Sequence, residues 1–377
     1  FNLWEDCNRV PLTELLSFVV DNRGKTVPTA PSGHKLIATN CVTNNALFPV
    51  YEKIRYLSEE TYQTWFRAHP IPGDILFVNK GTPGRVCLVP DPVDFCIAQD
   101  MIALRADESK IYPKYLFAVL RSREIQQQIY NTNVGDVIPH FKKQFLDQLL
   151  IPIPERSIQE SIGDLYYVLS LKAERNKKIN DNLADLLQTV YQERFGDTSL
   201  IANQGILSDI CSYSRDKVAV SELNVSTYFS TENMLSGKAG STEATSLPTT
   251  SQTTACHKGD TLISNIRPYF KKIVYCEDNC GCSTDVLCFT PSQPRYSAYL
   301  FSTLYADKFF AFMVAGSKGT KMPRGDKQQI MTYPVVLPSE EELAGFNTIA
   351  SPLLEQIYSN SAENKRLSIL RDTLLPK

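Results

Sequence analysis

Residues able to do chemistry in this sequence gather in loops that set cations beside glycine and proline. Asn79-Lys80-Gly81-Thr82-Pro83-Gly84-Arg85 places two cations among small residues, between the apolar runs PGDILFV and VCLV. Asn265-Ile266-Arg267-Pro268-Tyr269-Phe270-Lys271-Lys272 has the same setting, with more charge and two aromatic rings. Each is followed downstream by a glycine loop. NTNVGDVIPHF, Asn131 to Phe141, carries His140 with Lys142 and Lys143 just beyond; AGSKGTKMPRG, Ala315 to Gly325, carries Lys318, Lys321 and Arg324. A polar segment near the start, DNRGKTVPTAPSG, adds Arg23 and Lys25. Cationic loops between strands can bind phosphates and read base edges. The plainer reading is a set of solvated turns. That both copies are basic favours nucleic-acid contact. The candidate contacts are Arg23, Lys25, Asn79, Lys80, Thr82, Arg85, His140, Lys142, Lys143, Asn265, Arg267, Tyr269, Lys271, Lys272, Lys318, Lys321 and Arg324.

Catalytic patterns are missing. There is no N-P-P-Y or D-P-P-Y tetrad, no F-x-G-x-G and no G-x-x-x-x-G-K-[ST]. The histidines His34, His69, His140 and His257 are scattered, and a lone histidine is more often a packed or loop residue than a catalyst. Cys276, Cys280, Cys282 and Cys288 cluster but lack the paired C-x₂-C knuckles of a zinc site, so buried thiols are the expectation and no metal is assigned. Ten irregularly spaced cysteines fit a reducing compartment, and no signal-peptide pattern is visible. A cytoplasmic location, away from membranes, is therefore expected, since no run of 18 apolar residues exists. Net charge is −2, a weak argument against a nucleic-acid binder. The two long helical stretches, 155–196 and 339–377, carry more acid than base, which leaves the rest of the chain slightly basic.

These two long helices must position the loops. Glu155 to Gly196 holds Ile158, Ile162, Leu165, Leu169, Asn176, Ile179, Leu183, Leu186 and Val190 at alternating four- and three-residue steps, with Lys172 and Asn176 as the only breaks. That alternation is a coiled-coil seam. About forty residues make a rod roughly 60 Å long, which needs a partner. The C-terminal run from Ser339 supplies one, with Phe346, Ile349, Leu353, Asn360, Leu367, Leu370 and Leu374 on its seam. Asn176 and Asn360 fall at equivalent places, either as polar layers that fix register or as a solvated face near mid-rod. Pro352 should kink or delay the second helix.

The repeat extends beyond the helices. At an offset of 184, Tyr115-Leu116-Phe117 meets Tyr299-Leu300-Phe301, while Pro139 and Pro154 meet Pro323 and Pro338. Gly73-Asp74 matches Gly259-Asp260. Helices are expected over Pro113 to Tyr130 and Tyr296 to Met313, and strands LLIPIP and YPVVLP lead into the long helices. The chain then reads as an α+β protein: two similar mixed α/β domains, 1–154 and 197–338, separated by long helices at 155–196 and 339–377 that pack as an antiparallel coiled coil.

This order resembles the specificity subunit of type I restriction-modification systems. The marks are GDIL before NKGTPGRV, then the glycine loop, then IPIPERSIQESIG, with ENKRLSILRDTLLP near the end. The resemblance covers nearly the whole chain. It implies two target recognition domains that read a bipartite, asymmetric site on double-stranded DNA, and helices that space them. It also implies a subunit without catalysis of its own, docked to two methyltransferase subunits and, through them, to restriction subunits. S-adenosylmethionine, ATP and magnesium would belong to those partners, leaving this chain without a cofactor. The sequence begins at Phe1 without Met and ends abruptly at Lys377, slightly before that family's usual short tail, so trimming at either end is an expectation. Two other readings stay open: the recognition region of a single-chain restriction-methylation enzyme, and a coiled-coil scaffold that binds no DNA.

Overall fold

The computed structural model describes residues 4, 7–22, 24, 26–132, 139–196 and 203–375. The chain divides into two compact units, Phe1–Lys177 with Ala362–Lys377, and Lys178–Ser361. The boundaries differ from the expected ones because the long helices are not separate layers. Each long helix gives one part of its length to each unit.

In the first unit a four-stranded antiparallel sheet has the order Leu16–Val20, Met101–Ala106, Ile75–Val78, Val86–Leu88. The second unit repeats it as Cys211–Tyr213, Val286–Pro291, Thr261–Ser264, Ile273–Tyr275. Both central strands, ILFV and TLIS, are buried along their whole length. A two-stranded ribbon in each unit, Asn8–Pro11 with Leu150–Ile153 and Gln204–Ile206 with Pro334–Val336, leads into a long helix. The smaller remaining sheets differ. Three strands, Arg55–Leu57, His34–Ile37 and Phe95–Ile97, stand in the first unit. Four strands, Lys217–Ala219, Gln252–Cys256, Cys280–Cys282 and Tyr228–Phe229, stand in the second.

The helix expected over Pro113 to Tyr130 is two helices, Pro113–Leu120 and Arg123–Asn131. Ser122 separates them: its hydroxyl accepts from the Ile125 amide and caps the second. The second unit breaks at Ala306, between Ser297–Tyr305 and Asp307–Ala315. The shared Tyr-Leu-Phe triplets sit in the first helix of each pair. Tyr115 Oη donates to Pro152 O at 2.9 Å and Tyr299 Oη to Val336 O at 2.6 Å, so both tyrosines tie their helix to the ribbon strand. The shared Gly-Asp turns also match. Asp74 accepts from the Ile71 amide and Asp260 from the His257 amide, each three residues upstream. The first turn adds a paired contact from Arg105 at 2.9 Å; the second adds the Cys288 thiol at 3.2 Å.

The long helices run Arg156–Phe195 and Glu340–Thr373. The second passes through Pro352 without a break in its assigned helix. They pack as an antiparallel pair, and each unit shows this on its own. In the first unit 156–177 lies against the end of the second helix, where the Arg371 guanidinium covers the Tyr166 ring at 5.4 Å. In the second, Phe195 meets Phe346 near the other helix's start, at 5.5 Å between rings. The seam is rotated from the expected one. Ile162, Phe346, Asn176 and Asn360 are buried, and Ile158, Leu169, Leu183, Val190, Leu353, Leu367 and Leu374 are partly buried. Leu165, Ile179, Leu186, Ile349 and Leu370, however, are exposed, and Tyr166, Leu187, Tyr191 and Ala350 take the buried places one residue on. The cause is a second packing partner. Ile162 and Tyr166 join the first unit's globular core; Leu187, Tyr191, Phe195 and Phe346 join the second's. A helix that faces both a helix and a domain buries a broader stripe than a two-helix seam. Gly163 belongs to this contact, since a Cβ there would lie 2.6 Å from the Tyr115 amide nitrogen.

Polar layers fill mid-seam in both units. Asn176 donates to Glu363 at 2.6 Å and to Asn364 at 3.0 Å. Asn360 donates to Asn180 at 2.8 Å, and Asn180 donates to Ile357 O at 3.1 Å. Among the described residues, no helix is long and apolar enough to cross a membrane.

Candidate nucleic-acid interface

In each unit the strand-connecting loop and the glycine loop join into one edge. Lys80 and His140 form an isolated bridge; the Gly81 amide donates to Pro139 O at 3.0 Å and the Phe141 amide to Asn79 O at 2.7 Å. The second unit repeats this with Ile266 and Arg324, with Arg267 N to Pro323 O at 2.8 Å and Gly325 N to Asn265 O at 3.3 Å. A third segment closes both edges, since Asn79 and Asn265 donate from their amides to Asp100 O and Asp285 O, each at 2.8 Å. Candidates some sixty residues apart in sequence thus share a site.

Asn79 and Asn265 are not on its surface. Both are buried, and the Asn79 side chain donates to Phe141 O at 3.2 Å. They cross-link the two loops, and their expected place among surface contacts is corrected accordingly. Arg23 and Lys25 lie outside the described residues. Thr82, Arg85 and His140 are half-buried, while Lys80, Lys142, Lys143, Lys318, Lys321 and Arg324 are exposed.

The cations divide by partner. Lys80, Arg85, Lys142, Arg267 and Lys321 have no ion pair among the described residues. Lys143 reaches Asp21 at 3.3 Å, Arg324 reaches Asp285 at 3.2 Å, and Lys318 reaches Asp326 at 2.5 Å, holding that carboxyl below its ordinary range. Lys271 and Lys238 both hold Asp307, at 2.9 and 2.8 Å, and these hydrogen bonds lower its pKa too. Lys272 is half-buried: its ammonium donates to Thr231 O at 2.5 Å, and desolvation draws its pKa down. Lys271 and Lys272 therefore brace the loop, a role that spacing alone did not reveal. The exposed pairs are weak at the surface and leave their cations within reach of a stronger anion.

The two connecting loops share a backbone. Val78 N donates to Arg85 O at 2.9 Å and Ser264 N to Lys272 O at 3.2 Å, which makes Gly81 equivalent to Arg267 and Gly84 to Lys271. All four have positive φ: +85° and +87° at the glycines, +50° at Arg267 and Lys271. Glycine takes this shape freely, whereas other residues lose about 1–2 kcal/mol in it. The first unit spans the two positions with Thr82-Pro83, the second with Pro268-Tyr269-Phe270. Tyr269 is 50% exposed and Phe270 38%.

The five thiols Cys256, Cys276, Cys280, Cys282 and Cys288 lie in one buried cluster with Met234, Leu262 and Val286. Cys276 and Cys280 approach to 3.6 Å between sulfurs. Among the described residues, no three His, Cys, Asp or Glu side chains are grouped to hold a metal ion.

Comparison with known proteins gives three findings. Residues 19–184 match the type I restriction modification DNA specificity domain. Over 153 residues, 39% of this chain, the sequence is 25% identical to the type I restriction enzyme HindI specificity subunit of Haemophilus influenzae. The chain spans 33% of the length of that curated relative. The crystal structure of the type I restriction-modification system S subunit from M. genitalium is similar in fold, with a TM-score of 0.62 at 16% identity, covering 100% of this chain and 98% of that one.

Proposed function

Because residues 19–184 match the type I restriction modification DNA specificity domain, we propose that this chain is the non-catalytic subunit that chooses the DNA target. Each unit reads one half-site on a single duplex, and the target is asymmetric because the two reading edges differ. The long helices space the half-sites and dock two methyltransferase subunits, which in turn recruit restriction subunits. S-adenosylmethionine, ATP and magnesium act on those partners.

One observation carries this reading. The same composite edge is built twice, on the same framework bonds, with different side chains at its tips. A repeat kept for packing alone has no need to vary there. Phosphate contact falls to Lys80, Arg85 and Lys142 in the first unit, and to Arg267, Lys321 and Arg324 in the second.

The test is reconstitution with the cognate methyltransferase subunits. The complex should methylate a gapped two-part site, read by methylation sequencing of treated genomic DNA. Its affinity for duplex should fall steeply with salt, as expected when several phosphates are neutralised. The isolated chain should transfer no methyl group. Methyl transfer by highly purified chain alone, or duplex binding indifferent to salt, would sink the reading.

A further inference from the structure

The tip of the second unit's loop is built to hold two aromatic rings in solvent. Pro268 is buried beneath it. The amides of Gly237 and Lys238 donate to Phe270 O and Lys271 O at 2.8 and 2.9 Å, and Arg267 N is tied to Pro323 O. Lys238 and Lys271 clamp Asp307, at the start of the helix behind the loop. The fixed backbone leaves the Tyr269 and Phe270 rings at the surface, 4.8 Å apart and tilted by 57°. Arg267 and the Lys272 ammonium, 6.0 Å from the Phe270 ring, flank them with positive charge. A rigid apolar tip between cations suits a partner that is anionic outside and stacked with flat rings inside, and a braced tip loses little freedom on binding. The equivalent tip of the first unit is Thr82-Pro83, with no ring to offer.

We propose that Tyr269 and Phe270 form an aromatic wedge that enters the half-site read by the second unit and unstacks one base step there. The first unit reads its half-site without such a wedge. The inference rests on the proposed DNA-reading function. Apolar side chains inserted between base steps part them and kink the duplex. Pyrimidine–purine steps open most easily, so the second half-site should contain one at the wedge.

The experiment uses the assembled methyltransferase and its mapped target. Duplexes carry one fluorescent purine analogue at each purine position in turn, excluding the methylated base, which methyltransferases flip out themselves. Fluorescence should rise on binding at a step in one half-site only. The double variant Tyr269→Ala/Phe270→Ala should lose that rise and bind roughly tenfold more weakly, while Tyr269→Phe should keep it. Bound duplex with no rise, or an unchanged rise in the double variant, overturns the wedge and leaves the DNA-reading function standing. Failure of the double variant to assemble with methyltransferase subunits in the absence of DNA would mean that the rings contact protein, and it also overturns the wedge. If the wild-type complex binds no duplex at all, the proposed function itself fails.

Discussion

Arg267 is where stability and recognition should pull apart. Its φ of +50° is a shape that the equivalent Gly81 adopts without cost. Arg267→Gly should therefore raise the stability of the isolated chain, by up to about 1 kcal/mol, seen as a higher urea midpoint. The same change removes an unpaired cation from the reading edge. Binding by the assembled complex should weaken by roughly 1–3 kcal/mol if Arg267 reads a base, with relaxed preference at one position. A variant that is no more stable and binds like wild type would make this residue an ordinary turn member. The cations themselves were legible in the sequence, because charge beside glycine and proline is a local pattern. The bracing role of Lys271 and Lys272 was not legible, because Asp307 and Thr231 are distant in sequence. Asn79 and Asn265 look like surface polar residues on a hairpin, and only the folded chain shows the second loop that buries them.

At the scale of elements, the helices were visible but their facing was displaced by one residue. Leu165, Ile179 and Leu186 keep a heptad step that suits a two-helix seam, yet the globular units compete for the same helix face. Large rings at Tyr166, Tyr191 and Phe195 win the buried places because they fill both contacts at once. Two neighbouring leucines in the second unit separate these views. Leu187→Ala should lose about 2–5 kcal/mol, since Leu187 is 1% exposed and its removal leaves a cavity. Leu186→Ala, at 48% exposed, should stay within about 0.5 kcal/mol of wild type. Denaturant midpoints of the two variants decide between them; equal losses would restore the simpler seam. The polar layer adds a check. Asn360→Ala removes the donor to the Asn180 side-chain oxygen and should cost about 1–3 kcal/mol.

For the whole molecule, the proposal that the long helices act as a ruler makes a prediction about DNA. Four residues inserted after Lys177 and four more after Ser361 lengthen both helices where the two compact units divide. Each insertion adds about 6 Å along the helix and turns the downstream segment by about 40° beyond a full turn. On B-form DNA, 6 Å is nearly two base pairs of rise, and two base pairs turn the duplex by about 70°. The rotations share a sense and differ by only about 30°, so both reading edges can still meet their grooves. Inserting into both helices also lets the antiparallel pair lengthen without one strand slipping past the other. The two half-sites should therefore stay the same while the gap between them grows by one or two base pairs. A two-residue insertion in each helix instead turns the downstream segment by about 200° and should abolish methylation. Sequencing the sites methylated by the four-residue variant decides the matter. An unchanged gap would remove the helices as the ruler, and changed half-site bases would move target reading off the loops.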